Sequence, residues 1–168
     1  AIISSPKQEE VVPIPQMNRG GKFIFGKSVI GQDGTVQIPA QAAEEYRIVD
    51  EGRVYLFTGS KITGGFCVTR QGLLLPSKLG HILTETPALL GYLSGPGEFI
   101  RYKGRCYCWT DISKEGKLLL SPGMMDFLRL SPGMALLSIR SSDIAFTMGA
   151  KGPLLEKAEN YVGEIPMY

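Results

Sequence analysis

Residues 34–57 read GTVQIPAQAAEEYRIVDEGRVYLF, and this stretch carries the turn, helix and strand signals that decide the fold. The turn Gln32-Asp33-Gly34 in front of it predicts a tight hairpin, because glycine readily takes the positive φ that such turns need. Pro39 suits the first turn of a helix, and the alanines and glutamates after it favour a helix over residues 40–46. A glycine turn then leads to the apolar run 54–57, which is typical of a buried strand.

The same order of features returns about eighty residues later. Residues 116–139 read GKLLLSPGMMDFLRLSPGMALLSI and follow a second turn at Lys114-Glu115-Gly116. Ser121-Pro122 predicts a second short helix, with an N-cap serine and a proline at the first helical position. Residues 135–139 then predict a second buried strand. Because six features keep their order in both copies, we interpret the chain as an internal repeat.

The repeat divides the chain into an arm and two units. We assign residues 1–21, with three prolines and a Gly-Gly pair, to an extended N-terminal arm. The first unit spans residues 22–95 and ends in a helical stretch. The second unit spans residues 98–165, begins with an extra hairpin at residues 98–110 and ends in a short C-terminal helix.

The alignment of the copies begins by matching Lys22-Phe23-Ile24 with Glu98-Phe99-Ile100, which leaves the extra hairpin without an equal in the first unit. Neither unit can cover the apolar faces of its own strands. We therefore expect the units to interlock around one core. The expected core residues are Ile38, Val54, Leu56, Leu118, Leu120 and Leu137.

Composition indicates a mainly β protein with short helices. Glycine and proline account for 21 and 11 of the 168 residues, a large share that suits many short strands joined by tight turns. No apolar run approaches the length of a membrane span, and the first residues lack the pattern of a secretory signal. These observations predict a cytoplasmic protein without a membrane partner.

Residues able to carry catalytic chemistry are few. Three cysteines cannot make a closed disulfide framework, and the single histidine, His81, leaves most zinc sites without ligands. Cys106 and Cys108 share one face of a strand, but alternating buried cysteines also occur as small apolar residues. No nucleophile elbow or Ser-His-Asp spacing is present. We therefore expect neither an enzyme nor a cofactor.

The two quoted segments resemble the AbrB/SpoVT swapped-hairpin domain. Its pattern is a glycine turn, a strand ending in Ile-Pro, a helical turn, a glycine-containing turn and a further apolar strand. The first copy matches over about 40 residues, and the second is weaker, with Ser121 where Ile-Pro would put proline. Two copies in one chain are similar to the tandem arrangement of the MraZ proteins. The resemblance implies two swapped-hairpin β units that form a pseudo-twofold barrel and act as a DNA-binding transcriptional regulator.

What the resemblance implies for the site is contact with duplex DNA through the two hairpin turns. Lysines would neutralise phosphates, and short polar side chains would bond base edges. The candidate DNA-binding residues are Lys22, Lys27, Thr35, Gln37, Lys114 and Lys117.

An alternative is a regulatory or assembly module that kept the barrel and binds a ligand or a protein partner. The net charge of +2 is close to neutral, and acidic Glu44-Glu45 follows the helix start where the family usually carries basic residues. Residues 76–110 would then hold the binding site. Within them, the basic and aromatic run 101–107 is also compatible with base stacking or with an ordinary exposed hairpin. Assembly into a homo-oligomer is open in both interpretations.

Overall fold

The computed structural model describes residues 23–152, 155–156 and 167–168. The strands are β1 (Ile24–Val29), β2 (Thr35–Gln37), β3 (Arg53–Thr58), β4 (Phe66–Thr69), β5 (Ile100–Tyr102), β6 (Arg105–Asp111), β7 (Lys117–Leu119), β8 (Ala135–Arg140) and β9 (Phe146–Gly149). The helices are α1 (Ala40–Tyr46), α2 (Gln71–Leu74), α3 (His81–Thr84), α4 (Pro87–Leu90) and α5 (Pro122–Leu128). The protein is therefore mainly β with short helices, as predicted. The predicted N-terminal arm, Lys22 and most of the predicted C-terminal helix lie outside the described residues.

Seven strands form one antiparallel sheet in the order β1-β8-β9-β4-β3-β6-β5, and β2 pairs with β7 in a separate two-stranded ribbon. One strand near the start of each copy pairs with a strand of the other copy: β1 with β8, and β6 with β3. Strands β4 and β9 pair at the junction of the two copies. If β5 is left out, replacing each strand by its equivalent in the other copy gives the same strand order read from the opposite edge. The two copies therefore build one sheet together by exchanging strands.

The residue-by-residue pairing of the β1–β8 and β3–β6 ladders is also equivalent in the two copies. Val29 pairs with Ala135, and Arg53 pairs with Asp111. Asp111 lies 82 residues after Val29, and Ala135 lies 82 residues after Arg53, so the two pairs are equivalent positions in the two copies. The counterpart of β1 is therefore β6. This strand is the second of the hairpin at residues 98–110, which the alignment of the two copies left without a counterpart.

This register corrects the alignment of residues 22–24 with residues 98–100, because those latter residues enter β5 at the edge of the sheet. The sequence conceals the true match because the outer faces of β1 and β6 differ. Lys27 on β1 lies opposite Leu137, whereas the equivalent Trp109 on β6 lies opposite Tyr55. Residues 23–24 and residues 99–100 are both Phe-Ile, so these two segments align more closely in sequence than the equivalent strands β1 and β6 do.

Helices α1 and α5 occupy equivalent places and begin as the local sequence predicts. The hydroxyl of Ser121 accepts a hydrogen bond from the Met124 amide at 3.2 Å, which caps α5. Pro39 precedes α1, which has no side-chain cap. Both helices end at an arginine in the left-handed conformation, Arg47 and Arg129. No helix in the described residues is long and apolar enough to span a membrane.

The main core lies between the seven-stranded sheet and the ribbon. Ribbon residues Val36 and Leu118 are fully buried and belong to one cluster with Leu56 of β3 and Leu136 of β8. A second cluster lies on the other face of the sheet, where α2, α3 and α4 cover aromatic residues of β3 and β6. The predicted core residues Ile38, Val54, Leu56, Leu118, Leu120 and Leu137 are all at most 1% exposed.

The predicted closure into a barrel is not found in the described part of the chain. Strands β1 and β5 are the outermost strands of the sheet, and no strand pairing there joins them. Lys27 of β1 also forms an isolated parallel bridge with Met167. The three-residue strands of the ribbon pair with each other, and Leu118 also forms an isolated bridge with Ile112. The chain turns sharply between β1 and β2. At that turn Gly31 donates its amide to the Thr35 carbonyl at 2.9 Å.

The buried position of Leu56 gives a direct test of the core. We expect Leu56→Ala to lower the free energy of unfolding by about 2–5 kcal/mol, because a fully buried leucine leaves a cavity when it is truncated. Leu119→Ala is the matched control, since Leu119 is 60% exposed and its removal should change stability by at most about 0.5 kcal/mol. Urea unfolding followed by circular dichroism measures both. Equal effects at the two positions would contradict the placement of the core.

Candidate nucleic-acid interface

The outward face of the ribbon brings three of the predicted DNA contacts together. Side chains alternate along β2 and β7, so that the central residue of each strand enters the core and the flanking residues point away from it. Thr35 and Gln37 of β2 thus share this face with Lys117 and Leu119 of β7. In the register, Gln37 lies opposite Lys117, and Thr35 lies opposite Leu119. We call these four residues the ribbon face.

Tight turns hold both ends of the ribbon face. Gly34 and Gly116 have φ values of +90° and +81°, which glycine adopts without steric cost. A carboxylate oxygen of Asp33 accepts a hydrogen bond from the Thr35 amide at 3.0 Å. That hydrogen bond, assisted by the nearby charge of Lys117, lowers the pKa of Asp33. A negative charge therefore lies beside the ribbon face at neutral pH.

Gln37 is engaged in holding the opposite turn. Its amide nitrogen Nε2 donates to the carbonyl of Glu115 at 2.8 Å, and also approaches the carbonyls of Ile38 at 3.1 Å and Gly116 at 3.4 Å. The predicted contact of Gln37 with a base edge is therefore restricted to its Oε1 atom. Bidentate recognition of adenine, which needs the amide nitrogen as well, is excluded in this conformation.

The candidate lysines do not all lie together. Lys117 is exposed on the ribbon face, and Lys114 is exposed in the adjoining turn. Lys27 belongs to β1 of the sheet, where its neighbour Ser28 is fully buried and donates its hydroxyl to the Gln37 carbonyl at 2.6 Å. Because neighbouring residues of a strand point to opposite faces, Lys27 points away from the ribbon.

Charges around the ribbon face nearly cancel. Lys114 and Lys117 are accompanied by Asp33 and Glu115 in the same two turns. A groove of about 590 Å³ between α1 and the turn at residues 114–116 has the same mixed character. Its lining includes Lys114, Glu115, Glu44, Arg47 and Asp50, and Arg47 is paired with Asp50 at 2.7 Å.

The hairpin of β5 and β6 carries exposed basic residues, but its tyrosine is occupied. Arg101, Lys103 and Arg105 are exposed. The hydroxyl of Tyr102 donates to Glu85 at 2.6 Å, which raises the pKa of Tyr102 to about 12 and lowers that of Glu85. Since the ring is held in place by this bond, the geometry favours an ordinary exposed hairpin over a platform for stacked bases.

Two of the cysteines are buried. Cys108 is fully buried in the main core, and burial raises the pKa of its thiol to about 12. Burial also raises the pKa of Cys67. Over residues 23–152 and the two short C-terminal pieces, no group of three His, Cys, Asp or Glu residues could hold a metal ion.

No protein-family model, curated protein or solved structure that was compared with this chain matches it. Functional interpretation therefore depends on the geometry of the ribbon face. Sequence reasoning selected Thr35, Gln37 and Lys117 of that face but missed Leu119. Strict alternation in the run Lys117-Leu118-Leu119 would have identified Leu119 as the outward residue.

Proposed function

We propose that this chain is a DNA-binding regulator of the AbrB type that docks its ribbon face into the major groove of duplex DNA. The observation that carries the proposal is the ribbon itself, formed by one short strand from each copy with three polar residues and Leu119 pointing outward. A two-stranded antiparallel ribbon fits the width of the major groove, and several DNA-binding proteins read bases in this way. The ribbon also has a local two-fold axis at the Val36–Leu118 pair, which suits the two-fold symmetry of a duplex.

The exchange of strands supports the resemblance to swapped-hairpin domains. The first copy supplies β1 to the second and the second supplies β6 to the first, so neither copy holds a complete half of the sheet. In this proposal the sheet and the ribbon act together as a pseudo-twofold barrel around the main core. The barrel is then closed by packing across the core, with Val36 and Leu118 opposite residues of the sheet.

Each residue of the interface has a distinct role in the proposal. Lys114 and Lys117 neutralise phosphates at the end of the ribbon formed by the turn at residues 114–116. The Thr35 hydroxyl and the Oε1 atom of Gln37 contact base edges, while Leu119 offers an apolar contact to a thymine methyl group. Asp33 and its counterpart Glu115 oppose the phosphate backbone, so the affinity of a single chain should be low and strongly dependent on salt.

The test is a salt titration of binding to duplex DNA. For Lys114→Gln/Lys117→Gln we expect the slope of log affinity against log salt to become shallower by about two units, one for each phosphate that the variant no longer neutralises. Arg101→Gln/Lys103→Gln removes the same charge from the exposed β5–β6 hairpin and should leave the slope nearly unchanged. A reduced slope in the hairpin variant alone would place DNA on the hairpin and contradict the ribbon as the interface.

A second candidate function is the non-DNA module that binds a ligand or a protein partner. The observation in its favour is the balance of two lysines against two acids at the ribbon, together with the engagement of the Gln37 amide. The same titration separates the two functions. Absence of binding to any duplex at low salt would reject DNA binding and support the module.

A further inference from the structure

Two adjoining cavities lie on the face of the sheet that is remote from the ribbon. One has a volume of about 330 Å³ and the other about 240 Å³. Four residues line both cavities, namely Phe57, Leu79, Arg105 and Ile144. The two cavities therefore adjoin, and Arg105 borders both, so we treat them as one site.

The larger cavity is polar on one side. Hydroxyl-bearing residues line it, namely Ser60, Thr63, Ser141, Ser142 and Thr147. The Ser142 hydroxyl oxygen accepts from the Ile144 amide at 3.3 Å, so its own hydrogen remains able to donate. Thr147 is hydrogen bonded to Ser141 and lies 3.5 Å from the Cys67 sulfur, which places it at the pairing of β4 with β9.

The smaller cavity is apolar. Leu74, Ile82 and Tyr107 line it in addition to the shared residues. These side chains belong to the second hydrophobic cluster, in which Leu74 and Ile82 are at most 4% exposed. A hydrocarbon group of moderate size would replace water there without breaking a hydrogen bond.

Arg105 carries the only charge among the described residues that line the two cavities. In the described part of the chain its guanidinium forms no ion pair with a carboxylate and no hydrogen bond with an acceptor. Its central carbon lies 5.4 Å from the centre of the Phe57 ring, at the boundary between the polar and apolar halves. An unpaired guanidinium presents five donors in a planar fork that matches a carboxylate.

We propose that this site binds a small amphipathic carboxylate, with the carboxylate on Arg105 and the neighbouring hydroxyls and the apolar body in the smaller cavity. Its walls come from both copies, since Phe57 and Leu79 belong to the first and Ile144 and Thr147 to the second. A bound carboxylate would therefore link the two copies at the centre of the shared sheet. The site is separate from the ribbon face, because the sheet and the main core lie between them.

Octanoate is the probe for this proposal, and the full chain is titrated by calorimetry and by thermal unfolding. We expect saturable binding of one octanoate per chain and a rise in the unfolding temperature. Octylamine has the same tail without the negative charge, and acetate and phosphate have the charge without the tail. None of these three should bind at concentrations that saturate with octanoate. Equal binding of octylamine, or equal binding of phosphate, would overturn the proposal.

Substitutions of residues that line the two cavities test whether octanoate binds there. Arg105→Gln should weaken octanoate binding at least tenfold, because the variant cannot make the charge-assisted hydrogen bond. Leu79→Glu should weaken it as well, since Leu79 is 46% exposed at the rim and a carboxylate there repels the probe. Arg101→Gln removes the same charge on the opposite face of the hairpin and should bind octanoate as the parent chain does. Undiminished binding to both Arg105→Gln and Leu79→Glu, with folding verified by circular dichroism, would overturn the proposal.

Discussion

Neither half of the chain is expected to fold as a monomer when it is produced alone. Separating residues 22–95 from residues 96–168 removes every ladder that joins the copies: β1 with β8, β3 with β6, β4 with β9, and β2 with β7. The first half then keeps only the ladder of β3 with β4, and the second keeps only those of β5 with β6 and β8 with β9, so apolar faces are exposed in each. Isolated hairpins of this kind are marginally stable at best in water.

Urea unfolding and sedimentation of each half measure this effect, and mixing of the two halves is the control. We expect no cooperative transition from the monomeric halves and recovery of a cooperative transition in the equimolar mixture. A dimer of one half would also agree with strand exchange, because a second copy can supply the missing strands. A monomeric half with a cooperative transition would contradict the interlocked fold.

The glycines of the two turns are expected to respond very differently to alanine. A Cβ atom at Gly34 would lie 2.2 Å from the carbonyl oxygen of Leu120, and φ at this position is +90°. The same backbone segment donates the Leu120 amide to the Gly34 carbonyl at 2.9 Å, so the two segments cannot separate without breaking that bond. We expect Gly34→Ala to cost about 3 kcal/mol or more, from the backbone strain and the overlap together.

Gly116 is the matched control because it occupies the equivalent turn. A Cβ atom there would meet the flexible Gln37 side chain at 3.4 Å, and the nearest backbone atom is the Ile38 carbonyl oxygen at 3.9 Å. Gly116→Ala should therefore cost about 1–2 kcal/mol, from the positive φ alone. The denaturant concentrations at the unfolding midpoints of the two variants measure the difference in stability between them. Equal decreases in stability would show that the close contact between Gly34 and Leu120 does not exist.

Much of the local structure could be predicted from neighbouring residues. Pro39 and the alanines after it predict α1, and the structure has it over Ala40–Tyr46. Ser121-Pro122 predicts the capped start of α5, and the serine hydroxyl makes the expected bond. Turn geometry at Gly34 and Gly116 also agrees with prediction. These features depend on interactions within a few residues, which is why sequence patterns reveal them.

The candidate site was predictable only in part. The resemblance selected Thr35 and Lys117 as DNA contacts, and the structure places both on the ribbon face. The role of Gln37 was not predictable, because its amide bonds a carbonyl 78 residues away. The direction of Lys27 depends on which face of β1 the core covers, and that face is set by contacts with the other copy. The site around Arg105 is likewise assembled from segments distant in the sequence.

The sequence by itself determined the mainly β character, the positions of α1, α5 and the tight turns, and the burial of the six predicted core residues. Only the tertiary structure decided that β6 is the counterpart of β1, that the copies exchange strands, and that the sheet formed by the described residues stays open. The physical reason is that sheet partners are chosen by hydrogen bonding and packing between distant segments, while short apolar strands resemble one another in sequence. Propensity and turn chemistry act locally, so they define the elements but leave their pairing to the whole chain.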